Sequence, residues 1–327
     1  MITIKDVAER AGVSYATVSR ALNNRPDVNP ETRKLVLKVA KEMGYQPNAI
    51  ARSLVNKQTN IIALIVPDVS IPFFADLSKS VSQAAMEAGY TTMVCNTYWD
   101  RDKEREMLGL MQSQQVAGII IKPTGFYEPG TFDAVNVPLV VFWHPTEDST
   151  NYIEVDHVKG SRLAVENLVK RGFKRIAYLG GRGTSPANQL RLMTYQQVLQ
   201  ENDLPNYNEL ASFGEFHMDS GYERIREMMN QSVKPDAVFC GNDYIALGVL
   251  QYRREHGLSA DEFGIIGYDD LYFSSLPMIN LSSVSQPRDL LGEKAVELLM
   301  EDIDAEEEEE RRKRSLLIEP VLKVRET

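Results

Sequence analysis

Residues 2–24 gather hydroxyls, a phenol and a guanidinium into one short stretch: Thr3, Ser14, Tyr15, Thr17, Ser19, Arg20 and Asn23. Such groups suit hydrogen bonds to phosphates and base edges better than bond-making chemistry. Arg20 carries a planar fork of donors that matches guanine O6 and N7, a contact worth ~1–3 kcal/mol of discrimination. Tyr15 and the methyl of Ala16 suit thymine methyls and pyrimidine edges. Ser14, Thr17, Ser19 and Asn23 suit phosphates, although each Ser or Thr serves equally well as a helix cap. Elsewhere the chain offers no G-x-S-x-G, P-loop, H-E-x-x-H or C-x-x-C, and its four His (144, 157, 217, 256) lack metal-ligand spacing. Gly180-Gly181-Arg182-Gly183 follows a strand-like run but lacks the full G-x-G-x-x-G, so it reads as a turn. No catalytic residue, metal or cofactor is expected.

The elements that must hold this stretch are two short helices and a tight turn. Thr3 can cap the first, with Asp6 three residues on. Gly12 allows the sharp turn and Ser14 can cap the second helix. Ala8, then Gly four residues later and Val18 six after that, is helix-turn-helix spacing, whose second helix fits the DNA major groove. A third helix starts at Asn29-Pro30-Glu31 and ends at Gly44, with Leu35, Val36, Val39 and Met43 as its apolar stripe. Pro47 then blocks continuation, and Asn48 can cap a short helix over 48–55 before a polar linker at 56–60. Two turns of helix are unstable alone in water, so this one is expected to fold where two copies meet on DNA.

Charge supports the same reading. The chain carries a net charge of −10 over 327 residues. Residues 1–58 hold ten Lys and Arg against five Asp and Glu, a balance of +5, which leaves −15 for the rest. A basic head on an acidic body implies that only the head meets phosphates. Cys95 and Cys240 lie near the ends of apolar runs and are expected to be reduced and buried. No signal peptide and no apolar run approaching ~20 residues is read, so the expectation is a cytoplasmic protein with no membrane span.

From residue 61 the pattern alternates. Strands are expected at 61–66, 91–95, 118–121 and 139–142, with helices at 74–88 and 102–113 between them. The rhythm restarts with strands at 153–155, 175–179, 237–239 and 263–266. Helices at 158–171, 189–201, 220–230 and 246–255 interleave with these. The near-continuous apolar runs suit strands buried on both faces of parallel sheets. Two such series make two lobes facing a crevice at the carboxyl ends of their strands. The charge run at 306–314 reads as a solvated connection, followed by a strand-like piece at 316–324.

The chain resembles the lactose-repressor/galactose-repressor (LacI/GalR) family of bacterial transcription regulators. The resemblance rests on Thr3-Ile4-Lys5-Asp6-Val7-Ala8, Ala11-Gly12-Val13-Ser14, Thr17-Val18-Ser19-Arg20 and Gly44-Tyr45-Gln46-Pro47-Asn48. In the body it rests on Val66-Pro67-Asp68, Pro72-Phe73-Phe74, Asp219-Ser220-Gly221-Tyr222, Gly241-Asn242-Asp243 and Gly267-Tyr268-Asp269-Asp270. It implies an α/β protein: a three-helix helix-turn-helix domain over 1–46, a hinge helix and linker over 47–59, and a two-lobed periplasmic-binding-protein-like core with parallel sheets over 60–327. Three crossings divide that core into a first lobe of about 60–157 and 286–314 and a second of about 158–285 and 315–327.

The resemblance also implies roles. A homodimer would dock on a pseudo-palindromic double-stranded DNA operator, and the chain stops before any tetramerising leucine helix. Thr3, Ser14, Tyr15, Ala16, Thr17, Ser19, Arg20, Asn23, Asn48, Ala51 and Leu54 are the implied DNA contacts, with Leu54 as a minor-groove wedge. Phe73, Phe74, Trp143, Arg191, Phe216, Asn242 and Asp269 are the implied effector contacts. The effector would be a sugar, sugar phosphate or nucleobase. Trp143 stands where the family often has a carboxylate, and Thr194 where it usually has Gly. A phosphorylated carrier protein as corepressor, a sugar-binding transport protein and an enzyme remain the alternatives.

Overall fold

The computed structural model describes residues 2–22, 25, 27–45, 59–127, 130–142, 151–305 and 314–327. These fall into two units, Met1–Thr59 and Asn60–Thr327. Asn23, the short helix expected over 48–55 with Asn48, Ala51 and Leu54, and Trp143 lie outside the described residues.

In the first unit, α1 (Ile4–Ala11), α2 (Tyr15–Leu22) and α3 (Pro30–Glu42) enclose a small core of Val7, Ala8, Val18, Ala21, Val36 and Val39. Thr3 and Asp6 close a reciprocal capping box on α1. Gly12 ends α1 with φ 66°, a left-handed conformation that glycine adopts without a Cβ penalty. Asn29 caps α3 through its Oδ1, 2.8 Å from the Glu31 amide. Leu35 does not join the core stripe; it is 45% exposed. The 3.6-residue period carries the stripe through Val36, Val39, Ala40 and Met43 instead, one position round the helix.

The second unit holds two six-stranded sheets. The first is ordered β2–β1–β3–β4–β5–β11 and is parallel throughout. Its strands are β1 (Ile61–Val66), β2 (Thr91–Asn96), β3 (Gly118–Ile121), β4 (Leu139–Val141), β5 (Asn151–Val155) and β11 (Ser315–Ile318). On its faces lie α4 (Pro72–Glu87) and α10 (Arg288–Asp304), packed on each other, and α5 (Arg101–Ser113). The second sheet is ordered β12–β10–β9–β8–β6–β7 and is parallel except for β12. Its strands are β6 (Ile176–Leu179), β7 (Ala211–Ser212), β8 (Ala237–Cys240), β9 (Gly264–Asp269), β10 (Ser282–Ser285) and β12 (Val321–Lys323). Its helices are α6 (His157–Lys170), α7 (Pro186–Glu201), α8 (Met218–Met228) and α9 (Asp243–Glu255).

The chain crosses between sheets three times: after β5, after β10 and between β11 and β12. The last crossing corrects the expected lobe boundary, which placed all of 315–327 in the second lobe. Ser315–Ile318 instead pairs with β5, Leu316 opposite Ile153, and Ile318 is buried in the first-lobe core. Pro320 separates the two strands, and a residue with no N–H cannot carry the ladder on. Both cysteines are free thiols, Cys240 buried and Cys95 half-buried. Among the described residues no helix is long and apolar enough to cross a membrane.

Candidate functional site

The head presents α2 outward. Val18 and Ala21 turn into the core, which leaves Ser14, Tyr15, Ala16 and Arg20 exposed on the opposite face. Tyr15 is 51% exposed, a large ring with no packing reason to sit there. The Ser14 hydroxyl accepts from the Thr17 amide at 3.1 Å and lies 2.8 Å from the Thr17 hydroxyl. That is the capping role, and both hydroxyls retain further hydrogen-bonding capacity. Arg20 is steered by an exposed ion pair with Asp27 at 3.4 Å. Such a pair is worth little in water and yields readily to a phosphate or a guanine edge. Thr3 spends its hydroxyl on Asp6, and Ser19 is half-buried.

In the second unit, both sheets reverse their strand order beside β1 and β6, so the carboxyl ends of β1/β3 and β6/β8 are the ligand positions of this topology. The loops leaving β1 and β6 run straight into α4 and α7. Each of these helices starts with a Pro at its first turn. A cavity of about 490 Å³ lies there. It brings together Phe73, Phe74, Arg191, Phe216, Asn242 and Asp269, six of the seven expected effector residues. Trp99, Lys122, His157, Asn188 and Gln286 also line it, with Ile71, Ser185 and Ala187. None of those five stood out in the sequence. Trp99 follows β2 and Lys122 follows β3, so strand-end position was their only signal.

Aromatic rings form the mouth. Trp99 of the first lobe stacks on Phe216 of the second, with centroids 5.5 Å apart and planes at 23°. Phe74 meets Trp99 edge-on at 6.2 Å. Arg182 lies over the Trp99 ring at 5.9 Å and pairs with Glu215 at 2.8 Å. Tyr98 and Trp99 both have positive φ (54° and 62°), which non-glycine residues adopt at a cost. Phe216 sits so close to Gly181 that a Cβ there would lie 2.0 Å from the ring.

Polar groups form the walls. The Arg191 guanidinium lies 3.7 Å over the Tyr268 ring and donates to the Gly241 carbonyl at 2.5 Å. Asn242 caps α9 through Oδ1, and Asn188 accepts from the Gly181 amide at 3.1 Å. The Asn188 and Asn242 amide nitrogens and Arg191 Nε are buried with no hydrogen-bond partner among the described residues. All three residues line the cavity, and a buried donor left without an acceptor costs free energy.

Asp269 accepts from Gln286 at 2.5 Å, and Arg288 donates to its carbonyl while pairing with Asp76 of the first lobe at 3.1 Å. Burial pushes the Asp269 carboxyl up to about 6 against the pull of Arg191 and Arg288. Asp243 lies beneath, accepting from Leu271 N, Ser274 Oγ and Ser283 Oγ; burial and the nearby Asp269 push it up to about 7. His157 Nδ1 lies 3.1 Å from the Tyr268 hydroxyl, and burial with Arg191 nearby pushes its pKa down to about 4. The imidazole is therefore neutral at physiological pH.

This arrangement is built to bind. No His, Cys, Asp or Glu cluster among the described residues could hold a metal ion. Arg191, Asp243 and Asp269 are each engaged in hydrogen bonds within the protein.

Comparison with known proteins gives the same picture. Residues 3–48 match the family described as bacterial regulatory proteins, lacI family, and residues 165–327 match a periplasmic binding protein-like domain. The chain is 34% identical over 310 residues to catabolite control protein A of Priestia megaterium, covering 93% of each chain. It superposes on the lac repressor dimer bound to operator and an anti-inducer with a TM-score of 0.88 and 29% identity, covering 100% of this chain and 98% of that one. It also superposes on a complex of the transcriptional regulator CelR with cellobiose, with a TM-score of 0.74 and 29% identity, covering 100% and 99%. The chain belongs to the lacI family of bacterial regulatory proteins: it is a DNA-binding transcriptional repressor controlled by an effector, and not an enzyme.

Proposed function

We propose that the protein binds a pseudo-palindromic operator as a homodimer through residues 1–46 and 47–59, and that a sugar or sugar derivative in the interlobe cavity sets the affinity. Tyr15, Ala16 and Arg20 read base edges. Thr3, Ser14, Thr17 and Ser19 hold the backbone in register. Phe74, Trp99 and Phe216 offer faces to the apolar side of a sugar ring, while Arg191, Asn188, Asn242 and Asp269 take its hydroxyls. The polar side chains that line the cavity beside its aromatic rings, Asn188, Arg191, Asn242 and Asp269, carry this reading, because they suit the hydroxyls of a sugar. The CelR–cellobiose complex supports the ligand class. The protein would act in the cytoplasm, at the nucleoid.

Control follows from linkage. A ligand that prefers one arrangement of the lobes shifts the population toward it, and operator affinity shifts by the same coupling free energy. The test is a thermal-shift screen of sugars, sugar phosphates and purines on the full chain, followed by operator titration with each hit. A small molecule that raises Tm and changes operator affinity supports the proposal. Hits that leave operator affinity unchanged contradict it.

A further inference from the structure

Arg224 of α8 is half-buried, and its guanidinium is turned inward onto main-chain carbonyls. Nη1 donates to the Gly180 carbonyl at 2.7 Å and to the Ser212 carbonyl at 3.1 Å, and Nε donates to the Ser220 carbonyl at 2.9 Å. Gly180 follows β6 and Ser212 ends β7, so one nitrogen ties the carboxyl ends of both strands. The tie matters because β7 is an edge strand of two residues, paired with β6 through Ala211 and Ser212. An ordinary strand has about 5–6 residues to fix its place. Charge-assisted bonds from a guanidinium supply part of what so short a ladder lacks.

The aromatic mouth grows from these two strand ends. Gly181 follows Gly180 directly, and Phe216 lies four residues beyond Ser212. The intervening loop passes over the guanidinium: a Cβ on Gly214 would lie 3.1 Å from Arg224 Cζ. The Gly214 amide donates to the Gly181 carbonyl at 3.3 Å. At the end of the loop the Phe216 ring packs against Gly181 and stacks on Trp99. Ring contacts this close need the loop placed to within about 0.5 Å.

We infer that Arg224, which lies outside the cavity lining, is a positioning residue for the effector site: by tying β6 to β7 it seats Phe216 against Gly181 and Trp99. The inference rests on the reading of this cavity as the effector site and adds to it a residue that touches no part of the lining roll of rings. The planar fork of Arg suits the task, because it reaches separated carbonyls at once, whereas an ammonium is a single point.

The test reads Trp99 emission and iodide quenching in a Trp143→Phe background, where Trp99 is the one remaining Trp. Arg224→Met removes every donor, and Arg224→Lys keeps the charge without the fork. Both are first checked for a cooperative melt, and Arg224→Lys carries the comparison if Arg224→Met lacks one. Arg224→Met should red-shift Trp99 and raise its quenching as Phe216→Ala does, with Arg224→Lys in between. Added to Phe216→Ala, either substitution should move the signal less than about half as far, because Arg224 acts through the Phe216 ring. Equal shifts in both backgrounds, or a lowered Tm with Trp99 undisturbed, overturn the inference. Calorimetry of D-glucose, D-ribose and cellobiose on the full chain adds the ligand. A sugar that binds the wild type should bind the Arg224 variants about 2- to 10-fold more weakly, the worth of one aromatic contact. Unchanged affinity overturns the inference and leaves the sugar reading standing. Binding of none of the three contradicts the sugar reading, and the Trp99 comparison still decides the role of Arg224.

Discussion

Replacing Phe216 with Ala should loosen the two lobes. The ring reaches from the second lobe to stack on Trp99 of the first, 5.5 Å between centroids. An aromatic pair of this kind is worth about 0.5–1.5 kcal/mol beyond its burial. Phe216 is partly buried, so truncation also forfeits about half of the 1.5–3 kcal/mol that a fully buried Phe side chain supplies. The total is about 1–3 kcal/mol, which changes the open-to-closed ratio by about 5- to 150-fold. The chain has two Trp, so a Trp143→Phe background leaves Trp99 as the only reporter. In that background Phe216→Ala should red-shift Trp99 emission and raise its iodide quenching, and small-angle scattering should show a larger radius of gyration. Unchanged scattering would mean that the stack does not hold the lobes together, and the reasoning would fail.

Gly181→Ala should reproduce the Phe216→Ala emission and scattering, because a Cβ 2.0 Å from the ring must displace it; an undisturbed Trp99 signal would contradict this. Burial raises the Asp243 and Asp269 carboxyls to about 7 and about 6, so the folded state binds protons there that the unfolded chain does not, and their contribution is lost as pH rises from about 4 to 7. The depressed His157 acts oppositely, losing its contribution as pH falls from 6.5 toward 4, but two carboxyls outweigh one imidazole. Urea-unfolding stability should therefore increase from pH 8 to 5.5 and do so less steeply in Asp243→Asn; a flat profile in both proteins would refute the assignment. Asp27→Asn removes the exposed partner of Arg20 and one negative charge from the head, and should tighten DNA binding about 2- to 10-fold at low salt, read by fluorescence anisotropy. Weaker binding would mean that Asp27 positions Arg20 for the contact.

The strands of both sheet centres were legible because a sheet covered on both faces needs continuous apolar runs, as in Ile61-Ile62-Ala63-Leu64-Ile65-Val66. β10 was not legible. Its Ser282-Ser283-Val284-Ser285 reads as polar, yet it is largely buried, with the Ser283 hydroxyl on Asp243 at 2.5 Å and the Ser282 amide on Thr327 Oγ1 at 2.7 Å. Periodicity cannot see a hydroxyl that a distant carboxylate will satisfy. α7 begins three residues before the expected 189 because Pro186 takes its first turn. In the cavity, residues carried over from the resemblance met at one place. Lys122 and His157 did not announce themselves, since strand order alone brings 122 and 157 together. The head was the most readable part: its caps, turn glycine and core all act within 45 residues of chain.

The most direct measurement selects a binding site from random duplex DNA. The full chain is then titrated against that site and against bulk DNA at one fixed salt concentration, with and without the sugar that raises its Tm. The account requires a two-fold-symmetric site bound about 10³-fold or more tighter than bulk DNA, and a shift in that affinity when the sugar is added. Equal affinity for both DNAs, or a selected site indifferent to every stabilising ligand, would contradict it.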